Sequence, residues 1–366
     1  MIAVVVASSG EQEMRKSLLL AVVMVLACAG AISDLLAAEA IAPLQPTAAI
    51  PVIGSFHGKS SEDAARDISG IACLEVAGQE KRCLVINDEN RSAQFVTLAE
   101  GKLVVGNEIS LIDTSAPADA TGTPPADHGC TGGTKKFKDL DGEAVAAFGT
   151  DFLVVGSHGC SRKDVEFRSS SFLLIRVSVA NPAHPVVTGR TYRLSDVLRQ
   201  APDIGAYFAK PLADGGLNIE GLAVAGGTLL VGLRAPSSDG KAFIVSVPPD
   251  LLFAAKAPSV MRLPLGQGAG IRDLTMLPAA DGRGLVLAGP TLEQSDVPYS
   301  LFVFDPQTGA SSLLATLADV TVEGQRGKAE AVTVLDMEGS QLRVLVMFDS
   351  VPNGGPLEYR MTLPKP

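Results

Sequence analysis

The sequence predicts an all-β protein: a β-propeller of five blades, its ring closed by an N-terminal strand. Three observations carry that expectation. The composition suits many short strands joined by tight turns, with 37 Gly, 23 Pro and 46% hydrophobic residues in a chain of 366. A short stretch with an acid or another polar residue beside a small or apolar one recurs five times. Each copy is followed by a second apolar run, and at least four by a third.

The recurring stretches are DISGIAC (67–73), DLDGEAV (139–145), NIEGLAV (218–224), GIRDLTM (270–276) and KAEAVTV (328–334). The second runs are CLVINDEN, FLVVGSHG, LLVGLRAP, LVLAGPT and VLVMFDS. Aligned on their third positions, the copies place Ser69, Asp141, Glu220, Arg272 and Glu330 in register, about 65 residues apart on average. Propeller blades need ~40–50 residues. The excess falls in two insertions, a Gly/Pro-rich loop over 116–138 and a short helix plus loop over 194–210. A sixth blade is the alternative if one insertion hides a degenerate repeat. The last copy runs out after its third strand, near EYRMTL. The run AIPVIGSF (49–56) is expected to supply the missing strand and remove the free sheet edges.

Residues 1–40 read as an upstream extension and a signal peptide, and 41–366 as one propeller domain. Arg15 and Lys16 precede an apolar run, Leu18–Ile32, too short for a bilayer span of ~20 residues. Ala38-Glu39-Ala40 offers a cleavage site before Ile41. VLAC, ending in Cys28, offers a second reading as a lipoprotein anchor. Either way the mature chain works outside the cytoplasm, periplasmic or secreted. Four further cysteines, Cys73, Cys83, Cys130 and Cys160, then suggest two disulfides. Cys73 and Cys83 lie on adjacent runs joined by a turn, which leaves Cys130 for Cys160. The repeated HGC, with His128 and His158, also spells a two-His, two-Cys zinc set, but an oxidising compartment favours disulfides. A net charge of −10, no Trp and 4 Tyr exclude the usual nucleic-acid binder.

In a propeller, the start of each inner strand and the loop between the second and third strands open on one face. That topology gathers Asp141, Glu220, Arg272 and Glu330 at the channel mouth, joined by Asp88, Arg91, Arg162, Arg234, Asp349 and His158 from the loops. The motifs GSHG with Arg162, GLNIEGLAV, GLRAP, GKAFIV, GIRDL, LAGP and AEAVTV together resemble a bacterial family, domain of unknown function 3616, over Asp67 to Ser350. The resemblance implies a propeller and no particular activity. The inner-strand signature is distantly similar to esterase-like phytases and regucalcin-type lactonases, a fold-level analogy.

Asp141, Glu220 and Glu330 could hold a hard cation such as calcium, or hydrogen-bond neighbouring strands. Arg91, Arg162, Arg234 and Arg272 suit an anion, or pair with the acids. His158, beside Ser157, is the candidate general acid or base. The leading expectation is binding of a small anionic or cation-bridged ligand in this acid-and-arginine funnel. A metal-dependent hydrolase of phosphate or other esters is the first alternative. A protein-interaction scaffold is the second. G-x-S-x-G, G-x-x-x-x-G-K-[ST] and H-E-x-x-H are all missing from the sequence.

Overall fold

A computed structural model describes residues 42–58, 63–76, 80–126, 129–134, 137–248, 258–278 and 281–365. The leader, Cys28 included, and His128 lie outside the described residues. Among the described residues no helix is long and apolar enough to cross a membrane.

Among the described residues the chain builds five blades in order, each an antiparallel sheet, with a parallel edge strand added to the first and a separate two-stranded hairpin, Thr321–Val322 with Gln325–Arg326. Their inner strands are Ile68–Glu75, Gly142–Phe148, Asn218–Ala225, Ala269–Met276 and Lys328–Glu338. Each pairs with the strand that follows it, and that strand with a third. The second strands are buried over most of their length, Asp151–Gly156 and Gly284–Pro290 throughout. Each blade lies between two others, so both faces of these strands meet apolar side chains. That is why they read as continuous apolar runs rather than alternating ones. The outer strands meet solvent, and Lys102–Ser110 is mostly exposed.

The core sits between blades. Leu84, Val154 and Val231 belong to one cluster spanning blades one to three. Ile244 and Phe302 pack between blades three and four, Leu287 and Val346 between four and five, and Leu345 and Val85 between five and one. Close approach between blades constrains the backbone as well. A Cβ on Gly270, at the start of the fourth inner strand, would collide with the carbonyl oxygen of Arg234 on blade three. Gly270→Ala is expected to lower unfolding free energy by about 1–3 kcal/mol, measured by urea denaturation.

The ring closes as expected in kind but not in detail. Ala48–Ala49 forms the fourth strand of blade five, with Ala48 opposite Glu358. The run 49–56 is not one strand, because Pro51 has no N–H to continue the ladder. Beyond it, Val52–Ile53 turns onto blade one and pairs in parallel with its outer strand. Leu44 bridges to Leu317 at the end of blade four. Ten residues therefore clasp three blades.

Both disulfides form as expected, Cys73–Cys83 and Cys130–Cys160. The second insertion carries the helix Arg193–Gln200, whose Leu194, Val197 and Leu198 turn one face inward. The first insertion is a loop; its Gly129 N–H donates to Ala209 O (2.7 Å) in the second insertion.

Candidate functional site

Every inner strand breaks register with its neighbour at the same place, one residue being left unopposed. The unopposed residues are Ser69, Glu143, Glu220, Arg272 and Glu330. A bulge of this kind withdraws a residue from the ladder and re-aims its side chain. Repeated five times, it sets a ring of polar side chains at the start of the inner strands, the upper mouth of the channel.

Blade two departs from the sequence alignment. The ring position is Glu143, not Asp141. Alignment on acid-glycine matched Asp141-Gly142 to Glu220-Gly221. The spatial match is Gly142-Glu143-Ala144-Val145 with Ala329-Glu330-Ala331-Val332. That second match was readable in the sequence as GEAV against AEAV, but the glycine drew the alignment two residues off. Asp141 lies in the entry loop with φ +52°, bonded by the Ser157 hydroxyl.

The ring divides into two halves. In the first, Arg234 Nη1 donates to Glu220 Oε1 (2.6 Å), and Arg272 Nε lies 2.9 Å from Glu220 Oε2, a charge contact without hydrogen-bond alignment. Arg272 also donates to Glu330. Arg234 Nε reaches the carbonyl of Thr291 (2.8 Å). All four side chains are almost completely buried. Two acids and two arginines cancel in charge, so this half holds blades three, four and five together. Burial, and then Arg234, lower the Arg272 pKa. Next to it Asp273, fully buried, accepts from the N–H groups of Leu274 and Val332 (both 2.7 Å) and stitches blade four to five.

The second half is unbalanced. Glu143 is 7% exposed, and among the described residues it has no hydrogen bond or ion pair. Burial, and then Glu220, Asp141 and Asp88, push its carboxyl well above the usual range. Asp88 is raised for the same reasons, burial first and Asp141 next. Asp141 is raised by burial despite its Ser157 bond. Arg162, half exposed, lies 3.7 Å from Asp88. Burial opposes its charge, but Glu143, Glu220, Asp88 and Asp141 together outweigh that and push its pKa up. Three carboxyls thus share one guanidinium. Two acceptors nearby, Asp88 Oδ1 and Asn218 Oδ1, are buried with no hydrogen-bond partner among the described residues. Glu143, Asp141, Asn218, Arg162 and Arg234 line a narrow recess of about 30 Å³, room for a water or a small cationic group.

The remaining expected residues are otherwise engaged, although Asp349 is close enough to Asp88 to help raise its pKa. Asp349 pairs with Lys328 (3.0 Å). Arg91 donates through Nε to Lys138 O (2.8 Å), away from the recess. His158 is fully buried against Phe172, with ring centroids 5.5 Å apart. Its Nδ1 lies 2.9 Å from Gly156 O; a carbonyl only accepts, so Nδ1 carries the proton. Burial lowers its pKa to about 4, leaving it neutral and enclosed, and it does not line the recess. Among the described residues no three His, Cys, Asp or Glu side chains form a ready metal-ligand set. Glu220 and Glu330 are each committed to Arg272.

Residues 180–355 match the model of a family described as protein of unknown function, DUF3616. No curated protein matches the chain. Among solved structures, it is similar to an exo-β-1,3-galactanase from Phanerochaete chrysosporium, at 12% identity and TM-score 0.43, covering 87% of this chain and 64% of that one. The chain thus spans less than two thirds of that enzyme's length. It is also similar to the catalytic domain of a Coprinopsis cinerea GH62 α-L-arabinofuranosidase, at 10% identity and TM-score 0.47, covering 87% and 96%. A putative 6-phosphogluconolactonase from Bacteroides fragilis is similar at 12% identity and TM-score 0.35, covering 83% and 73%.

Proposed function

We propose that this five-bladed propeller, matched over 180–355 by the DUF3616 family model, binds a small ligand at its upper channel mouth through a positive charge. The charge sits among Glu143, Asp141, Asp88 and Asn218, and Arg162 beside it receives an anionic group. The observation that carries this reading is Glu143, a largely buried carboxyl for which no hydrogen bond or ion pair is found among the described residues. A buried acid without a partner is costly unless something supplies the missing donor. The charge is an organic ammonium; a hard metal ion would need these carboxyls to draw closer together than they stand among the described residues. Two disulfides support an oxidising compartment as the place of action.

Thermal denaturation of the metal-free mature protein tests this. The additions are Ca²⁺, Mg²⁺ or Zn²⁺, each with and without phosphate, and separately methylammonium or glycine. The correct source of charge stabilises the native state by about 2.7 kcal/mol at a hundredfold excess over Kd. Glu143→Gln abolishes that stabilisation. If no addition raises the melting temperature, the ligand reading fails and the mouth is structural, as a scaffold requires. A metal response that grows with phosphate favours the second reading, metal-assisted ester hydrolysis, in which a cation and Arg162 hold the two ends of the reacting group. Assay of p-nitrophenyl phosphate with that metal then decides it.

A further inference from the structure

Three acceptor side chains meet in the recess at the upper mouth, and their number specifies the kind of cation they suit. Glu143 lines the recess from blade two. Asn218, 9% exposed, lines it from the start of blade three, and its Oδ1 has no hydrogen-bond partner among the described residues. Asp141 lines it as well, and the Ser157 hydroxyl bonds only its Oδ2. A primary ammonium carries three N–H donors on one nitrogen, one for each of these side chains. A quaternary ammonium carries none. A recess of about 30 Å³ takes that head group and nothing larger, so every substituent of the ligand leaves through the mouth. Of the two guanidinium groups in the wall, Arg234 is committed to Glu220 and the Thr291 carbonyl. Arg162 is not. Its side chain is 47% exposed and touches Asp88 only at 3.7 Å, beyond hydrogen-bond length. Two residues before it, the Cys130–Cys160 disulfide ties its loop to the first insertion. The guanidinium is thus held at the rim with its fork open to an anion. Because it lines the same small recess, that anion must be carried close to the ammonium. In an α-amino acid the nitrogen and the carboxyl carbon stand about 2.5 Å apart, from standard bond lengths and angles. Each inserted methylene drives the two charges further apart.

We infer that the upper mouth binds a free α-amino acid, an inference that rests on the ammonium reading proposed above. The ammonium enters the recess and donates to Glu143, Asn218 and Asp141. The carboxylate on the adjoining carbon takes Arg162 at the rim. The side chain of the ligand extends outward, away from the recess.

Isothermal titration of the mature protein with glycine, methylammonium, 4-aminobutanoate and trimethylglycine tests the inference. Glycine is expected to bind at least about tenfold more tightly than methylammonium, the worth of one charge-assisted contact to Arg162. 4-Aminobutanoate, whose charges stand too far apart to meet both groups, loses that advantage. Trimethylglycine keeps the carboxylate but has no N–H donor, and is expected to bind at least about tenfold more weakly than glycine. Arg162→Gln brings glycine down to the level of methylammonium. Methylammonium binding with glycine no tighter overturns the inference and leaves the ammonium reading standing. Trimethylglycine binding as tightly as glycine also overturns it. Binding by none of the four overturns the inference and the ammonium reading together. These ligand comparisons are made on the unaltered protein and need no variant to fold.

Discussion

Arg272→Met lowers the free energy of unfolding by about 3–5 kcal/mol, the largest single effect expected in the molecule. Arg272 is 1% exposed and lies between Glu220 and Glu330. Removing the guanidinium leaves two buried carboxylates close together, with Arg234 able to answer only Glu220. The methionine fills most of the volume, so the loss reports charge rather than a cavity. Glu330→Gln should cost less, because Arg272 keeps Glu220 and the amide can still accept. Urea denaturation with the disulfides intact measures both. A loss below about 1 kcal/mol for Arg272→Met would show that the buried network does not hold the ring together.

Glu143→Gln is expected to do the reverse in metal-free buffer. Once the pH exceeds the raised folded-state pKa of Glu143, the variant's unfolding free energy is higher by about 1–3 kcal/mol, because an unpaired buried charge is replaced by a neutral amide. The sign of its pH dependence follows from the raised carboxyl. A folded-state pKa above the unfolded one makes the native state hold the proton more tightly. That stability is fully present below the unfolded value, near 4.5, and is lost as pH rises through the folded value. The variant lacks this loss, so the two proteins converge in acid and separate in base. Glu358 works in the opposite direction. Its bonds from Arg343, chiefly, hold its pKa at about 2, so its contribution is present above about 4.5 and is lost as pH falls toward 2. Denaturation of both proteins from pH 4 to 9 measures the difference. A gap between them that stays constant with pH would sink this account of Glu143.

The architecture was readable because it rests on repetition. Five apolar strand pairs, each opened by the same kind of short stretch, specify blades whatever their loops do, and Cys73 and Cys83 declared their pairing from a single hairpin. Glu220, Arg272 and Glu330 were found for the same reason. Glu143 was missed because a bulge, not a glycine, selects the ring position, and a bulge leaves no residue signature of its own. His158 read as a mouth residue because its loop belongs there. Whether a loop side chain faces the channel or folds under Phe172 depends on packing contributed by residues far along the chain. Arg91 likewise found a carbonyl at Lys138, on the neighbouring insertion, that spacing could not show. Pro51 was legible, but its effect on a closing strand was not drawn from the run around it.

The clasp made by residues 44–53 also bears on how the molecule comes into being. The Thr47 side chain meets Glu358 across 311 residues of sequence. Closing so long a loop carries an entropic cost before the contact returns anything, and topologies dominated by distant pairings fold slowly. Blades one to four can each assemble from neighbouring sequence. The circle cannot close until the last hairpin exists and the beginning of the chain has come back to meet it. Until that moment Leu357–Thr362 presents an unpaired edge, the kind of template on which chains join one another instead of themselves. The same ten residues that complete the ring therefore cover the last edge it leaves open.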